Sequence, residues 1–375
     1  MKVIIAGGGT GGHVFPGLAI VEELRRRDQL LLIQWIGKKK SLEESVCAQH
    51  NIPFRAIPML GWPRKGTLSK LITLFALGVS VLRSYQIIRR FQPQIIIGVG
   101  GYVSFPPLWC AQKLGIPTVL HEQNSKMGLA NRLLAKNAEK VFLSFPLIEK
   151  LEGEGFNKDK FIISGNPVRL SFLNPPTKES AREKLGLSQT LFTVMFLGGS
   201  QGARFLNQCV KEIIDKMDPQ EFQIIWLTGK NEYDHYKVYS SNNKTIIKLF
   251  PFSDNIATLM ASADLIVSRA GASTLAEITT MGKPSILIPY PHATDNHQEF
   301  NAKMMEKMGA SEVLLEPHTN STELLEKIRN YIKNPETLKS RSECAKKVGK
   351  PLASEIIAEE ILNLLFPPPQ NSSRS

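Results

Sequence analysis

Val3-Ile4-Ile5-Ala6-Gly7-Gly8-Gly9-Thr10-Gly11-Gly12-His13 opens the chain with four strand-forming residues that run straight into five glycines within six positions. A strand that ends in glycines and turns into a helix leaves backbone N–H groups uncovered at the positive end of the helix dipole, where a phosphate fits. The arrangement recurs twice: Ile95 to Ile97 lead into Gly98-Val99-Gly100-Gly101-Tyr102, and Thr193 to Leu197 lead into Gly198-Gly199-Ser200-Gln201-Gly202. Two of these turns open a half of the chain. One phosphate cradle suggests a cofactor, whereas cradles in both halves suggest two phosphorylated substrates. Glycines that serve only tight strand–helix packing are the plainer reading, but so dense a run exceeds what packing needs.

Outward from these turns, short β-rich runs alternate with helical patterns: Val3 to Ala6, a helix from about Gly17 to Arg27, then Leu31 to Ile36, Ile95 to Gly98, Thr118 to His121 and Lys140 to Ser144. A second series follows Gly165-Asn166-Pro167, with strands expected at Thr193 to Leu197, Ile224 to Thr228, Thr245 to Leu249, Leu265 to Ser268 and Ser285 to Ile288. This is the order of parallel α/β sheets, two of them. A chain of 375 residues exceeds the roughly 250–300 at which a single core stops growing. The turn-forming Asn174-Pro175-Pro176-Thr177 puts the boundary between Gly165 and Pro176. A last helix is expected over Ala353 to Phe366, and Gln370 to Ser375 should be disordered. In open α/β sheets ligands bind at the carboxyl ends of strands, where all three glycine turns lie.

Composition narrows the field. The four cysteines are far apart and form no C-x-x-C pair, which indicates neither a zinc site nor a disulfide framework and fits a reducing, cytosolic compartment. The apolar stretch at the N-terminus is too short for a signal peptide. Of the net charge of +12, nearly all belongs to residues 1–165, which carry 22 Lys and Arg against 11 Asp and Glu. Such a face attracts nucleic acid, anionic lipid or a phosphorylated substrate, and charge alone does not choose. Arg25 to Arg27 and Lys38 to Lys40 read as solvated surface. Leu71 to Leu82 is free of charge and bounded by Lys70 and Arg83, with Arg64 and Lys65 upstream. Too short for the about 20 residues a bilayer needs, it reads either as a buried core helix or as one that presses an apolar face into a lipid interface while its arginines meet anionic headgroups.

Gly7-x-Gly9-x-x-Gly12 also matches the dinucleotide fingerprint, which makes an NADP enzyme a rival, although no acidic residue follows the second strand until Glu43. His13, expected in the first turn of a helix, is the leading general-base candidate, because the positive dipole end favours a neutral imidazole; a phosphate-binding or capping histidine is the alternative. His121-Glu122-Gln123-Asn124 puts four polar side chains at a strand's carboxyl end, as a ligand site or as a buried network tying loops together. In the second half, Arg169 is placed to reach a diphosphate with its guanidinium fork or to form a hinge salt bridge. Arg269-Ala270-Gly271-Ala272-Ser273-Thr274-Leu275-Ala276-Glu277 repeats the glycine turn and helix start, with Glu277 as a capping-box or a ribose-binding carboxylate. Asp295-Asn296-His297-Gln298 offers amides to a sugar or starts a helix. There is no zinc-ligand cluster, no Walker A motif, no nucleophile elbow and no D-x-D triplet for a metal diphosphate, so leaving-group charge falls to backbone N–H groups, a helix dipole and Arg169.

Taken together, Gly7 to His13, Gly100-Gly101-Tyr102, His121 to Asn124, Gly165-Asn166-Pro167-Val168-Arg169, Gly198 to Ala203, Arg269 to Glu277 and Asp295 to Gln298 closely resemble the MurG family of peptidoglycan N-acetylglucosaminyltransferases, which make lipid II. The resemblance runs from residue 3 to about 302 and rests on the order of the whole series, since each motif alone is weak. It implies a GT-B glycosyltransferase with two Rossmann-like domains around a deep cleft, inverting, with no cofactor and no bound catalytic metal. It further implies UDP-N-acetylglucosamine as donor and lipid I, undecaprenyl-diphosphate-MurNAc-pentapeptide, as acceptor. Donor contacts carry over to Thr10, Gly11, Gly12, Asn124, Arg169, Ser200, Phe252, Ala272, Ser273, Thr274, Leu275, Ala276, Glu277 and Gln298. Acceptor contacts carry over to Gly9, His13, Gly101, Tyr102, His121, Glu122 and Gln123. His297 stands where relatives often carry glutamine, which makes Gln298 the firmer sugar contact. The implied organisation is an acceptor and membrane domain over 1–168, joined by a C-terminal helix over 351–366, a UDP-sugar domain over 169–350 and a tail over 367–375. The implied setting is peripheral, on the cytoplasmic face of the inner membrane, with an anionic lipid surface and other cell-wall synthesis proteins as partners and no nucleic acid. A UDP-sugar epimerase of the same build, an NADP oxidoreductase and a silent lipid-diphosphate binding protein are the competing readings.

Overall fold

The computed structural model describes residues 1–59, 67–147, 157–199, 202–241 and 245–367, with the backbone alone at 67–70, 241 and 295. Ser200 and Gln201, Arg64 and Lys65, and the tail over 370–375 lie outside the described residues. Two compact units result: one runs to Val168 and resumes at Leu352, and the other is Arg169–Pro351.

In the first unit, strands β1 (Lys2–Ala6), β2 (Leu32–Gly37), β3 (Phe54–Ala56), β4 (Ile95–Gly98), β5 (Thr118–Glu122), β6 (Lys140–Leu143) and β7 (Phe161–Ile163) form a sheet in the order β3-β2-β1-β4-β5-β6-β7. All its pairings are parallel. Successive strand residues point to opposite faces. Accordingly, Val3 and Ile5 join a core with Val14, Leu18 and Val21 of helix Gly11–Arg27, whereas Ile4 and Ala6 join one with Ile88, Leu108 and Ala111 on the other side. Burial on both faces is why β1 reads as an unbroken apolar run rather than an alternation. The last helix, Ala353–Leu365, belongs here: Ile357, Ala358 and Ile361 are fully buried against the same core as Val3. Each isoleucine so placed contributes about 1.5–3 kcal/mol through the area it removes from water.

The second unit repeats the design with β8 (Thr193–Leu197), β9 (Gln223–Leu227), β10 (Ile247–Phe250), β11 (Leu265–Ser268), β12 (Ser285–Leu287) and β13 (Ser311–Val313), in the order β10-β9-β8-β11-β12-β13, again parallel. In each sheet the strand order reverses direction next to its first strand, between β1 and β4 and between β8 and β11. These are the topological switch points, where chain diverges above and below the sheet and leaves a crevice for a ligand.

Three strands escape the sequence pattern. Phe54-Arg55-Ala56, Phe161-Ile162-Ile163 and Ser311-Glu312-Val313 are three-residue strands at sheet edges, too short for periodicity to register. The first helix also starts at Gly11 rather than near Gly17, and it keeps Pro16 inside. Glycine and proline are poor helix formers, but burying Val14, Leu18 and Val21 outweighs them, as tertiary packing usually does.

Leu71 to Leu82 lies within a longer helix, Thr67–Phe91. Its polarity is inverted. Thr73, Ser80, Ser84 and Ile88 face the protein, with Ser80 Oγ donating to the Pro58 carbonyl at 2.8 Å and Ser84 Oγ to the Ser80 carbonyl at 2.7 Å. Leu71, Ile72, Leu74, Phe75 and Leu82 face outward, Phe75 at 76% exposure. Leu71–Phe91 is 21 residues long and apolar enough by composition to cross a membrane. Its serine face nonetheless packs on the first unit, where it meets helix Phe105–Lys113 through Cys110 and Val81.

Candidate active site

At the first switch point the glycine turns after β1 and β4 are stitched together. Gly8 N–H donates to the Gly100 carbonyl at 3.3 Å and Val99 N–H to the Ala6 carbonyl at 2.9 Å. The approach is so close that a Cβ on Gly101, whose φ is +82°, would stand 2.4 Å from the Gly8 carbonyl oxygen, backbone against backbone. Two buried side chains fix the first turn from below. Trp35 on β2 donates its indole N–H to the Gly7 carbonyl at 2.9 Å. Glu43, fully buried, accepts Gly9 N–H on Oε2 at 3.1 Å and Lys38 N–H on Oε1 at 3.0 Å. The acid after the second strand therefore points inward at backbone and is not presented to a ribose, while Lys38, Lys39 and Lys40 are exposed.

Helix Gly11–Arg27 starts from this turn with no side-chain cap and no acidic residue in its first turn. Elsewhere in the unit, helix Leu42–Gln49 is capped by Ser41 and carries Glu43 and Glu44 in its first turn. An uncapped, acid-free helix start above glycines has the dipole sign and the backbone geometry that suit an anion. His13 stands in that first turn, with Nδ1 3.0 Å from Thr10 Oγ1 and its ring over Gly100. Tyr102, half exposed, follows the second turn.

His121, Glu122 and Gln123 are all buried. His121 bonds Gly165 O at 3.3 Å through Nε2 and accepts from Gln123 Nε2 at 3.0 Å on Nδ1; burial pushes its pKa down to about 4, so it is neutral. Glu122 accepts the N–H groups of Asn124 at 3.0 Å and Gly128 at 2.9 Å and the Asn131 amide at 2.9 Å. Burial raises its carboxyl above the usual range against the pull of those donors. The side chains of His121 and Glu122 thus tie β5 to its neighbours, and Asn124 is the partly exposed member of the motif.

In the second unit, Gly198, Gly199 and Gly202 flank the turn after β8. A Cβ on Gly202 would stand 2.2 Å from the Thr228 carbonyl oxygen, which presses this turn onto the end of β9. Helix Arg204–Lys216 and helix Ala272–Thr280 both start without a side-chain cap or a first-turn acid. With Gly271 as N-cap, the third helical position falls on Thr274, so Glu277 caps nothing. Instead it pairs with Arg169 Nη2 at 3.3 Å, and the guanidinium lies over the Phe172 ring at 5.1 Å. Burial raises the Glu277 carboxyl while Arg169 draws it down. Ser273 and Thr274 are partly exposed on the same first turn. Gln298 accepts the Tyr290 N–H on Oε1 at 3.0 Å, which orients its amide and leaves NH₂ as the group to offer a ligand. His297 is engaged through Nδ1 with the Thr294 carbonyl at 2.6 Å. Phe252, partly exposed after β10, carries Lys230 Nζ 5.5 Å from its ring centre.

Family models match both halves of the chain. The glycosyltransferase family 28 N-terminal domain matches residues 3–143 and the family 28 C-terminal domain residues 193–357. A curated relative from Bacillus cytotoxicus, named UDP-N-acetylglucosamine–N-acetylmuramyl-(pentapeptide) pyrophosphoryl-undecaprenol N-acetylglucosamine transferase, is 36% identical over 97% of this chain and 100% of its own length. A relative of the same name from Finegoldia magna is 37% identical over 97% of this chain and 98% of its own. The crystal structure of MurG from Acinetobacter baumannii superposes with a TM-score of 0.74 at 27% identity, covering 96% of this chain and 99% of that one. The chain belongs to the MurG family of glycosyltransferases. Its two parallel sheets are the two Rossmann-like domains of the GT-B architecture. A UDP-GlcNAc 2-epimerase from Neisseria meningitidis reaches a TM-score of 0.70 at 15% identity, a likeness of fold alone.

The structure brings Gly9, Thr10, Gly11, Gly12, His13, Gly101, Tyr102 and Gln123 to the first switch point, and Arg169, Ala272, Ser273, Thr274 and Glu277 to the second. Leu275 and Ala276 continue that helix, and Leu275 is buried in it. Sequence reasoning missed Glu43 as the support of the first glycine turn. Its signal was the acid set six residues beyond the end of β2, at the start of a helix that Ser41 caps.

Proposed function

We propose that the protein transfers N-acetylglucosamine from UDP-N-acetylglucosamine to the 4-hydroxyl of the MurNAc sugar in lipid I, inverting the anomeric centre to form lipid II. The observation that carries this is the set of uncapped, acid-free helix starts after glycine turns in both units, in a chain whose full-length relatives bear that transfer in their names. Arg169, Ser200, Phe252, Glu277, Gln298, the helix start over Ala272 to Ala276, and Thr10, Gly11, Gly12 and Asn124 are the donor contacts. Gly9, His13, Gly101 and Tyr102 hold the acceptor, while His121, Glu122 and Gln123, all buried, brace them from within.

His13 takes the proton of the acceptor hydroxyl as its oxygen attacks the anomeric carbon opposite UDP. The transition state is oxocarbenium-like. Charge growing on the diphosphate is met by Arg169, the Ser200 backbone and the dipole of helix Ala272–Thr280.

Residues 1–168 with the helix over 351–366 act as the acceptor and membrane domain, and 169–350 as the UDP-sugar domain. The inverted helix Thr67–Phe91 supports docking on the cytoplasmic face of the membrane. Burying Leu71, Ile72, Leu74 and Phe75 needs a partner as apolar as lipid, and Arg83, Arg89 and Arg90 stand exposed beside them for anionic headgroups. Release of UDP from UDP-N-acetylglucosamine, measured with and without a lipid I analogue, tests the reading. Acceptor-dependent release is expected. Acceptor-independent sugar isomerisation, nicotinamide-dependent turnover, or binding with no UDP release would each replace it with one of the rival readings.

A further inference from the structure

Both protons of the Gln123 amide are engaged inside the first unit. Nε2 donates to the Val99 carbonyl at 2.7 Å and to Nδ1 of His121 at 3.0 Å. The second bond needs a neutral His121 with its proton on Nε2, which the bond from Nε2 to the Gly165 carbonyl and the pKa near 4 both supply. The amide therefore cannot flip without losing two bonds. Its Oε1 must face the other way, where it is buried and has no hydrogen-bond partner. Buried acceptors are nearly always satisfied, so an orphan at a ligand-binding corner points to a donor that arrives in the working state.

That corner is His13. The point where a Cβ on Gly100 would stand lies 2.9 Å from His13 Nε2 and 3.1 Å from Gln123 Oε1, so the two atoms line one side of the same glycine. Thr10 Oγ1 holds Nδ1 of the ring, which sets Nε2 on the Gly100 side.

We propose that Gln123 is a positioning residue for proton transfer: its Oε1 accepts the Nε2–H of His13 once His13 has taken a proton, directly after a small turn of the imidazole or through one water. This rests on the reading of His13 as the base. As the acceptor oxygen bonds to the anomeric carbon its O–H bond breaks, the bond from that carbon to the diphosphate breaks with its electron pair leaving on UDP, and the proton stays on Nε2 of an imidazolium that Gln123 stabilises. His121, which interacts with His13 electrostatically, is neutral, and the Glu43 carboxylate is bound to backbone N–H groups of the glycine turn and of Lys38. Glu122 is turned away onto Asn124, Gly128 and Asn131.

The test is a titration of His13 by NMR in the full-length enzyme with labelled histidine, its signal assigned by its loss in His13→Ala. In Gln123→Leu the His13 pKa should fall by about one unit, because a hydrogen bond to the charged form is lost, and the acid limb of kcat/KM should fall with it while KM for UDP-N-acetylglucosamine holds. Gln123→Glu, which keeps an acceptor oxygen, should titrate at or above the wild-type value. If Gln123→Leu disturbs histidine signals other than that of His121, which loses its Gln123 donor in any apolar variant, Gln123→Met, matched in length, is read in its place. An unchanged His13 titration in a folded apolar variant overturns the proposal. A shifted titration together with a fully active His13→Ala instead retains the Gln123–His13 contact and removes the base assignment.

Discussion

Replacing Glu43 with alanine should cost the first unit about 3–5 kcal/mol. The carboxylate is fully buried and accepts one backbone N–H on each oxygen, from Gly9 and from Lys38. Each hydrogen bond to a charged group contributes about 1.5–3 kcal/mol, and an orphaned buried donor loses its solvation as well. The two bonds together would reach about 3–6 kcal/mol, less what water entering the vacated space returns. At roughly 2–4 °C per kcal/mol for a unit of this size, the first thermal transition should fall by about 6–20 °C. Glu43→Gln keeps one acceptor oxygen but turns an NH₂ toward the other N–H, so it should cost about half as much. The assay is differential scanning calorimetry of the full chain, with hydrogen exchange at Gly9 and Lys38 to locate the loss. The transition of the second unit should not move, because both N–H groups that Glu43 accepts belong to the first unit. A Glu43→Ala protein whose first transition lies within about 1 kcal/mol of wild type, with both amides still protected, would refute the view that this carboxylate holds the glycine turn.

Three further outcomes are expected. His121 is neutral in the fold, with its pKa lowered to about 4 from 6.5; that part of the stability is fully present above pH 6.5 and is lost as pH falls from 6.5 toward 4, up to about 3 kcal/mol. Urea unfolding of the first unit at stepped pH checks this, and a flat profile between pH 7 and 4.5 would contradict it. Arg169→Ala should slow transfer about 10²–10³-fold, the usual cost of one lost charge-stabilising donor, as read in steady-state kinetics; a change confined to acceptor affinity would remove Arg169 from the donor site. Leu74 and Phe75 replaced by serine should weaken flotation on anionic vesicles and leave UDP binding intact, whereas unchanged flotation would count against lipid docking by helix Thr67–Phe91.

The glycine turns after β1, β4 and β8 were legible because each follows an apolar run buried on both sheet faces, as the full burial of Val3 to Ala6 and of Val194 to Phe196 explains. What stayed hidden depended on tertiary contact. The edge strands at Phe54, Phe161 and Ser311 are too short to carry a period, and Gly11, Gly12 and Pro16 enter a helix that packing rather than propensity sustains. At the site, spacing marked Glu277 as a capping residue, whereas the helix start at Ala272 and the distant Arg169 make it half of an ion pair. The inward aim of Glu43 and Gln123 likewise follows from which strands the sheet order sets side by side, which a local motif does not encode.

The account holds that the nucleotide belongs to the second unit and the lipid-borne acceptor to the first. A crystal structure of the full chain with uridine diphosphate tests this most directly. The nucleotide should lie at the carboxyl ends of β8 and β11, its diphosphate at the start of helix Ala272–Thr280. Uridine diphosphate bound at Gly7 to His13 with the second switch point empty would contradict it.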